Sequence, residues 1–350
     1  MNRKVRAAQF GIGRMGSLIM KTLLEKDCEL VAAFARNPAQ IGRDAGEIAG
    51  IGSIGITVSD SKNAAEVLHR SGADICLIAT KGTVAELEET IKACCDAGVN
   101  VLTIGEEAFW PWTSSPEITK RIDEMAKAAG VTVSGSGYPD VYWGSLVTNV
   151  AGSMSKLEKI HGLVYYDIDN YGSDFIAGHG VGLTAEEFNE GLGRWKPTAD
   201  GLWPCLPGDQ NGWLCRQLGL TVTNQTMRRI PKYSEIDLYS KTTGETIPAG
   251  RVIGMSVAAE TTTAEGIAIE IEVCGKLYEP GETDGVTWYF TGNPDTEIFV
   301  RNPQTHVLTC TTVVNRIPDV ISAHPGFVTT DRMDPIRYMA KPMNEYILEK

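Results

Sequence analysis

The sequence predicts an α/β protein of two domains. An N-terminal doubly wound parallel sheet is followed by an α+β domain with a mixed open sheet. Three observations carry this. Short apolar runs alternate with amphipathic helical stretches over roughly the first 130 residues. Gly11, Gly13 and Gly16 follow the first apolar run at G-x-G-x-x-G spacing. After Tyr138-Pro139 the composition shifts to β-like runs with few long helices.

The elements follow in order. Strands are expected over 5–10, 30–34, 75–79, 100–104 and 131–134, each a short apolar run. Helices are expected at 17–26, 63–71, 83–97 and 115–129, between those runs. Buried strands alternating with helices indicate a parallel sheet covered on both faces. Right-handed crossovers then bring the C-terminal ends of the strands to one edge, where ligands bind. Beyond residue 155, β-like runs lie at 162–166, 251–258, 267–273, 287–290 and 306–314, with one helix at 185–192. The tail from Pro318 is expected to turn helical and pack back on the first domain. The expected domains are therefore 1–140, 141–315 and a returning segment 316–350.

Composition excludes several classes. The 350 residues are 43 % hydrophobic and 22 % charged, ordinary for a globular chain. A net charge of −12 argues against nucleic acid and anionic membranes as partners. No apolar stretch approaches the roughly 18 residues of a membrane helix. The N-terminus runs straight into a strand, so a cytoplasmic location is expected. The eight cysteines, at 28, 76, 94, 95, 205, 215, 274 and 310, form no C-x-x-C, and no Cys/His cluster has zinc spacing. Buried reduced thiols and no metal site are expected. Cys94 and Cys95, on one helix, point to different sides and make a poor redox pair.

The glycine loop carries the chemistry. Gly11 permits the tight turn, Gly13 lets backbone approach a pyrophosphate, and Gly16 lets the helix pack on the strand. The following helix aims its N-terminal N–H groups at the phosphates. This is the dinucleotide fingerprint of a Rossmann domain. The expected cofactor-binding set is Gly11, Ile12, Gly13, Arg14, Met15 and Gly16, then Arg36 and Asn37 after the second strand, Thr80 and Lys81 after the third, and Asn315. The second strand ends Ala-Phe-Ala-Arg36-Asn37, without the carboxylate that would hold a ribose 2′-OH. A guanidinium there suits a 2′-phosphate. NADP is therefore favoured, with NAD the second candidate. The alternative for Arg36 is a solvated loop charge.

Glu106 and Glu107 follow the fourth expected strand, at the edge where a nicotinamide ring would lie. Phe109, Trp110 and Trp112 come next. A carboxylate beside such rings loses solvation, and its pKa should rise toward a useful acid–base range. Two adjacent glutamates rarely share one environment, so one is expected to be catalytic and the other structural. Tyr142 and Trp143 could wall an apolar pocket. His179, between two glycines, is expected to be an exposed site residue.

The glycine loop, the Ala-Arg-Asn-Pro segment with Gly42-Arg-Asp-Ala-Gly-Glu47, the Ile-Gly-Glu-Glu loop and the Asn315-Arg-Ile-Pro…His-Pro-Gly326 stretch together resemble the 2,4-diaminopentanoate dehydrogenase family. That family includes the native amine dehydrogenases and is related in fold to dihydrodipicolinate reductase. The resemblance implies reversible NAD(P)-dependent oxidative deamination, in reverse the reductive amination of a carbonyl compound with ammonia. It implies that Glu106 is the catalytic carboxylate. It suggests Trp143, Tyr171 and His179 as substrate-pocket residues, to which the Ile-Gly-Glu-Glu loop adds Glu107 and Phe109, and it implies a homodimer built through the second domain's sheet. Two other readings compete. One is a dihydrodipicolinate-type or cyclic-imine reductase, although the paired-histidine stretch and Ser-Gly-Thr loop of that enzyme are absent and His161-Gly-Leu-Val-Tyr-Tyr166 stands instead. The other is a non-catalytic NADP-binding sensor. A diamino-acid substrate would need a cation for its carboxylate, for which Arg194, Lys196, Arg216 and Arg301 are available. The aromatic density at 109–112, 142–143 and 195–213 leans toward a smaller or apolar substrate.

Overall fold

The computed structural model describes residues 3–194 and 206–348. The chain forms two compact units, Met1–Ser145 with Gln304–Lys350, and Leu146–Pro303.

The first unit begins with β1 (Arg6–Phe10), α1 (Arg14–Glu25), β2 (Glu29–Ala35), α2 (Ala45–Ala49) and β3 (Val58–Asp60). It continues through α3 (Ala64–Ser71), β4 (Ile75–Ile78), α4 (Val84–Asp96), β5 (Asn100–Thr103), α5 (Pro116–Ala129) and β6 (Thr132–Gly135). All pair in parallel, and a late strand, β15 (Gly326–Phe327), completes the order β15-β6-β5-β4-β1-β2-β3. From β1 the chain runs outward to β2 and β3, then crosses to β4 on the other side. The switch point therefore lies between β1 and β4, at the tip of the glycine loop. Strands β4 and β6 are buried at every position; β4, Ile-Cys-Leu-Ile, reads as an unbroken apolar run, whereas β6 buries Thr132 and Ser134 beside Val133.

The second unit contains α6 (Leu146–Ala151), β7 (Lys156–Asp167), α7 (Ser173–Gly178), α8 (Ala185–Glu190) and α9 (Leu206–Leu218). Then come β8 (Val222–Tyr233), the short pair β9 (Leu238–Tyr239) and β10 (Thr246–Ile247), β11 (Val252–Thr263), β12 (Ala268–Lys276), β13 (Gly285–Asn293) and β14 (Thr296–Arg301). Six strands form a mixed sheet in the order β14-β13-β7-β12-β11-β8, with β7 and β12 the parallel pair. Helix α9 packs on β11 and β12. Asn211 fixes it there by donating to Ala259 O (3.1 Å), Thr261 Oγ1 (3.0 Å) and Ile269 O (3.2 Å). The opposite face exposes Tyr165, Tyr289 and Phe299 and a cross-strand charge row in which Glu270 bridges Lys159 and Arg228.

The chain then returns to the first unit as α10 (Thr305–Ser322) and β15 (Gly326–Phe327). Three expectations are corrected. Residues 306–314 are helix, not strand. Their β-branched content suggests a strand, but the buried positions Cys310, Val313, Val314, Ile317, Val320 and Ile321 recur at helical spacing. They share one core with Ile19, Met20 and Leu23 of α1. The tail is helical only to Ser322, and beyond β15 it holds two single turns, Thr330–Arg332 and Met343–Tyr346. Helix α9 has no counterpart in the sequence reading, because Pro207, Gly208 and Gly212 suppress the propensity signal. The seven described cysteines are free and buried; Cys205 lies outside the described residues.

Candidate active site

The C-terminal edges of β1, β4 and β5 carry three loops that touch in sequence. The first is the glycine loop. Gly11 has φ +84°, and a Cβ there would meet Ala79 O at 2.5 Å and Thr80 Cγ2 at 2.8 Å. A Cβ on Gly16 would stand 1.9 Å from Gly11 O, so no other residue lets α1 pack this closely on the loop. Above Gly13 there is nothing within 4 Å. Gly13 caps α1 without a side-chain hydrogen bond, leaving the first-turn N–H groups uncommitted. This open cradle over a helix N-terminus fits a pyrophosphate. Arg14, Arg36 and Asn37 are exposed beside it, and Arg36 makes no ion pair among the described residues. Gln40 ties the rim together by donating to Ile12 O at 3.1 Å.

The second loop, Thr80–Gly82, links the cradle to the glutamates. Thr80 abuts Gly11, and Lys81 is exposed and paired with Glu86 at 3.1 Å. The carbonyls of Lys81 and Gly82 press on Gly105, and Gly82 O accepts from Glu107 N at 3.1 Å.

The third loop separates the two glutamates. Glu107 is 3 % exposed. Its carboxylate accepts from Val84 N (2.7 Å), Ser114 Oγ (2.7 Å) and Ser115 Oγ (2.6 Å), binding the loop to the start of α4. Glu106 is reached by solvent, yet dense protein around it penalises the charged form and raises its pKa above the ordinary carboxylate range. Phe109 is buried at the end of the same turn. The rings expected to desolvate Glu106 are occupied elsewhere: Trp112 packs edge-on against Phe327, and Trp110 donates to Thr113.

Behind these loops, Asp140–Ser145 forms a π-helical turn that carries Tyr142 and the buried Trp143. Tyr138 stacks on Tyr142 at 4.5 Å and meets Trp143 edge-on at 6.2 Å. A buried ion pair holds this turn. Arg316 donates to Asp140 through Nε (2.8 Å) and Nη2 (3.0 Å), and to Asp319 (3.0 Å) and Asp334 O (2.6 Å) through Nη1. Asp140 also accepts from Ser136 Oγ at 2.7 Å. Among the described residues, the neighbouring Asn315 keeps a buried Oδ1 without a partner, an acceptor suited to an amide N–H.

Tyr171 and His179 belong to the second unit, within a cluster that includes Tyr166 and Phe175. Tyr171 stacks on Phe175 at 5.1 Å, and Phe175 lies 4.4 Å from His179. His179 is 8 % exposed, a correction to its expected exposure. Its flanking glycines serve the backbone there and do not open it to solvent. Nδ1 lies 2.8 Å from Phe175 O and must donate, so Nε2, 2.9 Å from Tyr166 OH, accepts. Burial lowers the His179 pKa and keeps this neutral tautomer. Of the cations available for a substrate carboxylate, Arg194 and Arg216 are exposed and Arg301 lies over the Phe299 ring at 5.6 Å. Lys196 and most of the 195–213 aromatic stretch lie outside the described residues.

A Rossmann cradle, a loop carboxyl of raised pKa at the same sheet edge and a second α+β unit define a nicotinamide-dependent oxidoreductase. The model of the dihydrodipicolinate reductase N-terminus matches residues 5–136, and that of the 2,4-diaminopentanoate dehydrogenase C-terminal domain matches residues 142–347. The chain belongs to the 2,4-diaminopentanoate dehydrogenase family. The 2,4-diaminopentanoate dehydrogenase of Acetoanaerobium sticklandii is 27 % identical over 273 residues, covering 75 % of this chain and 74 % of that one. A solved amine dehydrogenase from Mycobacterium smegmatis is 34 % identical, covers 97 % of this chain and 98 % of its own, and superposes with a TM-score of 0.85. The 4-hydroxy-tetrahydrodipicolinate reductase of Methanothermobacter thermautotrophicus is 42 % identical over 121 residues, only 34 % of this chain and 41 % of that one. Likeness to the reductases is thus a likeness of one domain, which fits a dihydrodipicolinate-type activity less well.

Proposed function

We propose that this chain is an NAD(P)-dependent amine dehydrogenase in which Glu106 handles the protons of the amine, catalysing reversible oxidative deamination and, in reverse, reductive amination of a carbonyl with ammonia. The observation that carries the reading is the division of labour in the β5 loop. Glu107 is committed to three hydrogen bonds within the protein, whereas Glu106 is exposed and its pKa is raised by the protein packed around it. The cofactor supplies or receives the hydride when bound. The protein's own groups do the rest. A Glu106 carboxyl of raised pKa donates a proton to the departing hydroxyl of a carbinolamine, and water leaves. The resulting carboxylate faces an iminium, a charge pair of most value where water is scarce.

NADP is our choice of cofactor, because Arg36 follows β2 with no carboxylate at its end and no ion pair of its own among the described residues. Asn315, with its unpartnered acceptor, we assign to the cofactor amide. Phe109, Trp143, Tyr171 and His179 we assign to substrate recognition; their aromatic character favours small, apolar carbonyl compounds. The exposed tyrosines and charge row of the second sheet are our proposed homodimer face, tested by light scattering of wild type and Tyr289→Glu. We place the assembly in the cytoplasm.

The test is oxidation of NADPH with small ketones and aldehydes, each with and without ammonium. Ammonium-dependent turnover is expected. Equal turnover without ammonium would make the chain a carbonyl or imine reductase. Cofactor binding with no turnover on any carbonyl, 2-amino-4-oxopentanoate included, would make it a sensor.

A further inference from the structure

Gln9 is the anomaly of β1. Its neighbours Ala7, Ala8 and Phe10 are buried and apolar, and Gln9 itself is fully buried. Burying an amide is costly unless it is hydrogen-bonded. Its Nε2 donates to Phe10 O at 3.0 Å and to Gly11 O at 3.1 Å. Both partners are carbonyls, so the NH2 end must face them, which settles the amide's orientation. A Cβ on Gly16 would lie 3.2 Å from the same nitrogen. The Gly11 carbonyl is therefore held between the Gln9 amide on one side and the first turn of α1 at Gly16 on the other.

A peptide plane has its C=O and N–H pointing in opposite directions. Fixing Gly11 O against Gln9 turns the N–H of Ile12 away from the sheet, toward the cradle over Gly13. Among the described residues that N–H donates to no protein acceptor. We propose that Gln9 is a positioning residue for the dinucleotide: from beneath the glycine loop, its amide sets the Gly11–Ile12 peptide so that an N–H faces the cofactor phosphates. The inference rests on the dinucleotide reading of the loop.

The test is direct binding of NADPH and NADH to the full chain, followed by fluorescence titration. Gln9→Met keeps the length and removes the donors. Its Kd for the reduced cofactor is expected to rise roughly five- to tenfold, the worth of one net hydrogen bond. Gln9→Glu retains one donor only while its carboxyl is protonated. Its Kd is expected near wild type in mild acid and to weaken as pH rises, a dependence that a merely structural residue would not produce. If Gln9→Met does not fold, the pH dependence of Gln9→Glu decides. Kd values within twofold of wild type in both variants, flat with pH, would overturn the inference alone. A wild type that binds neither dinucleotide would overturn the reading on which it rests.

Discussion

Replacing Glu107 by alanine is expected to destabilise the first unit strongly while leaving the chemistry of the folded enzyme in place. The side chain is 3 % exposed and accepts three hydrogen bonds. Alanine leaves Val84 N–H buried without an acceptor, about 1–3 kcal/mol. It also removes the charged acceptor of Ser114 and Ser115, whose hydroxyls can partly reorient. With the cavity added, the sum is about 3–5 kcal/mol. For a domain of this size that lowers Tm by roughly 6–20 °C. Glutamine should cost less. Its carbonyl can accept from Val84 N while its NH2 donates to the two seryl oxygens, leaving a loss of about 1–2 kcal/mol from the missing charge. The assay is calorimetry of wild type, Glu107→Gln and Glu107→Ala, with ammonium-dependent turnover measured well below each Tm. The graded Tm loss, with turnover retained, is the expected pattern. An unchanged Tm with turnover abolished in both variants would refute the reasoning and make Glu107 the catalytic carboxylate.

Other perturbations have equally definite outcomes. Arg316→Met leaves Asp140 buried with Ser136 as a side-chain partner and should cost about 3–5 kcal/mol in urea denaturation. Adding Asp140→Leu should recover part of that loss, and additive losses would deny the pair. Arg36→Ala should lower the ratio of kcat/KM for NADP over NAD about tenfold, one ion pair's worth; an unchanged ratio would assign the phosphate to another group. Because Glu106 must carry its proton to act as general acid in reductive amination, its raised pKa places the alkaline limb of kcat/KM in that direction above the ordinary carboxylate range, and Glu106→Gln should erase that limb.

The legible parts of the fold are those written in local pattern. Strands β1, β2, β4 and β5 are mostly buried runs dominated by apolar side chains, and the helices between them have clear amphipathic faces, so their positions follow from spacing; β6 is marked only by Val131 and Val133. The three glycines were legible because each answers a separate steric demand, seen in the 2.5 Å and 1.9 Å approaches at Gly11 and Gly16 and the open space over Gly13. Edge strands β3 and β15, three and two residues long, carry too few side chains for a period. Helix α10 was misread because propensity favours strand for Val313-Val314, whereas packing against α1 requires helix. Asp140 and Arg316 are 176 positions apart, so nothing local announces their pairing. Gln9 looks like an ordinary interruption of an apolar run until its partners are seen. The two glutamates were separable in principle, but only the loop geometry shows which one is spent on hydrogen bonds.

The central claim is that Glu106 is the catalytic carboxylate. The most direct measurement is kcat of Glu106→Gln at saturating ammonium and carbonyl, alongside its NADPH Kd. Loss of a general acid is expected to lower kcat by at least about a hundredfold with Kd unchanged. Turnover within twofold of wild type would contradict the account.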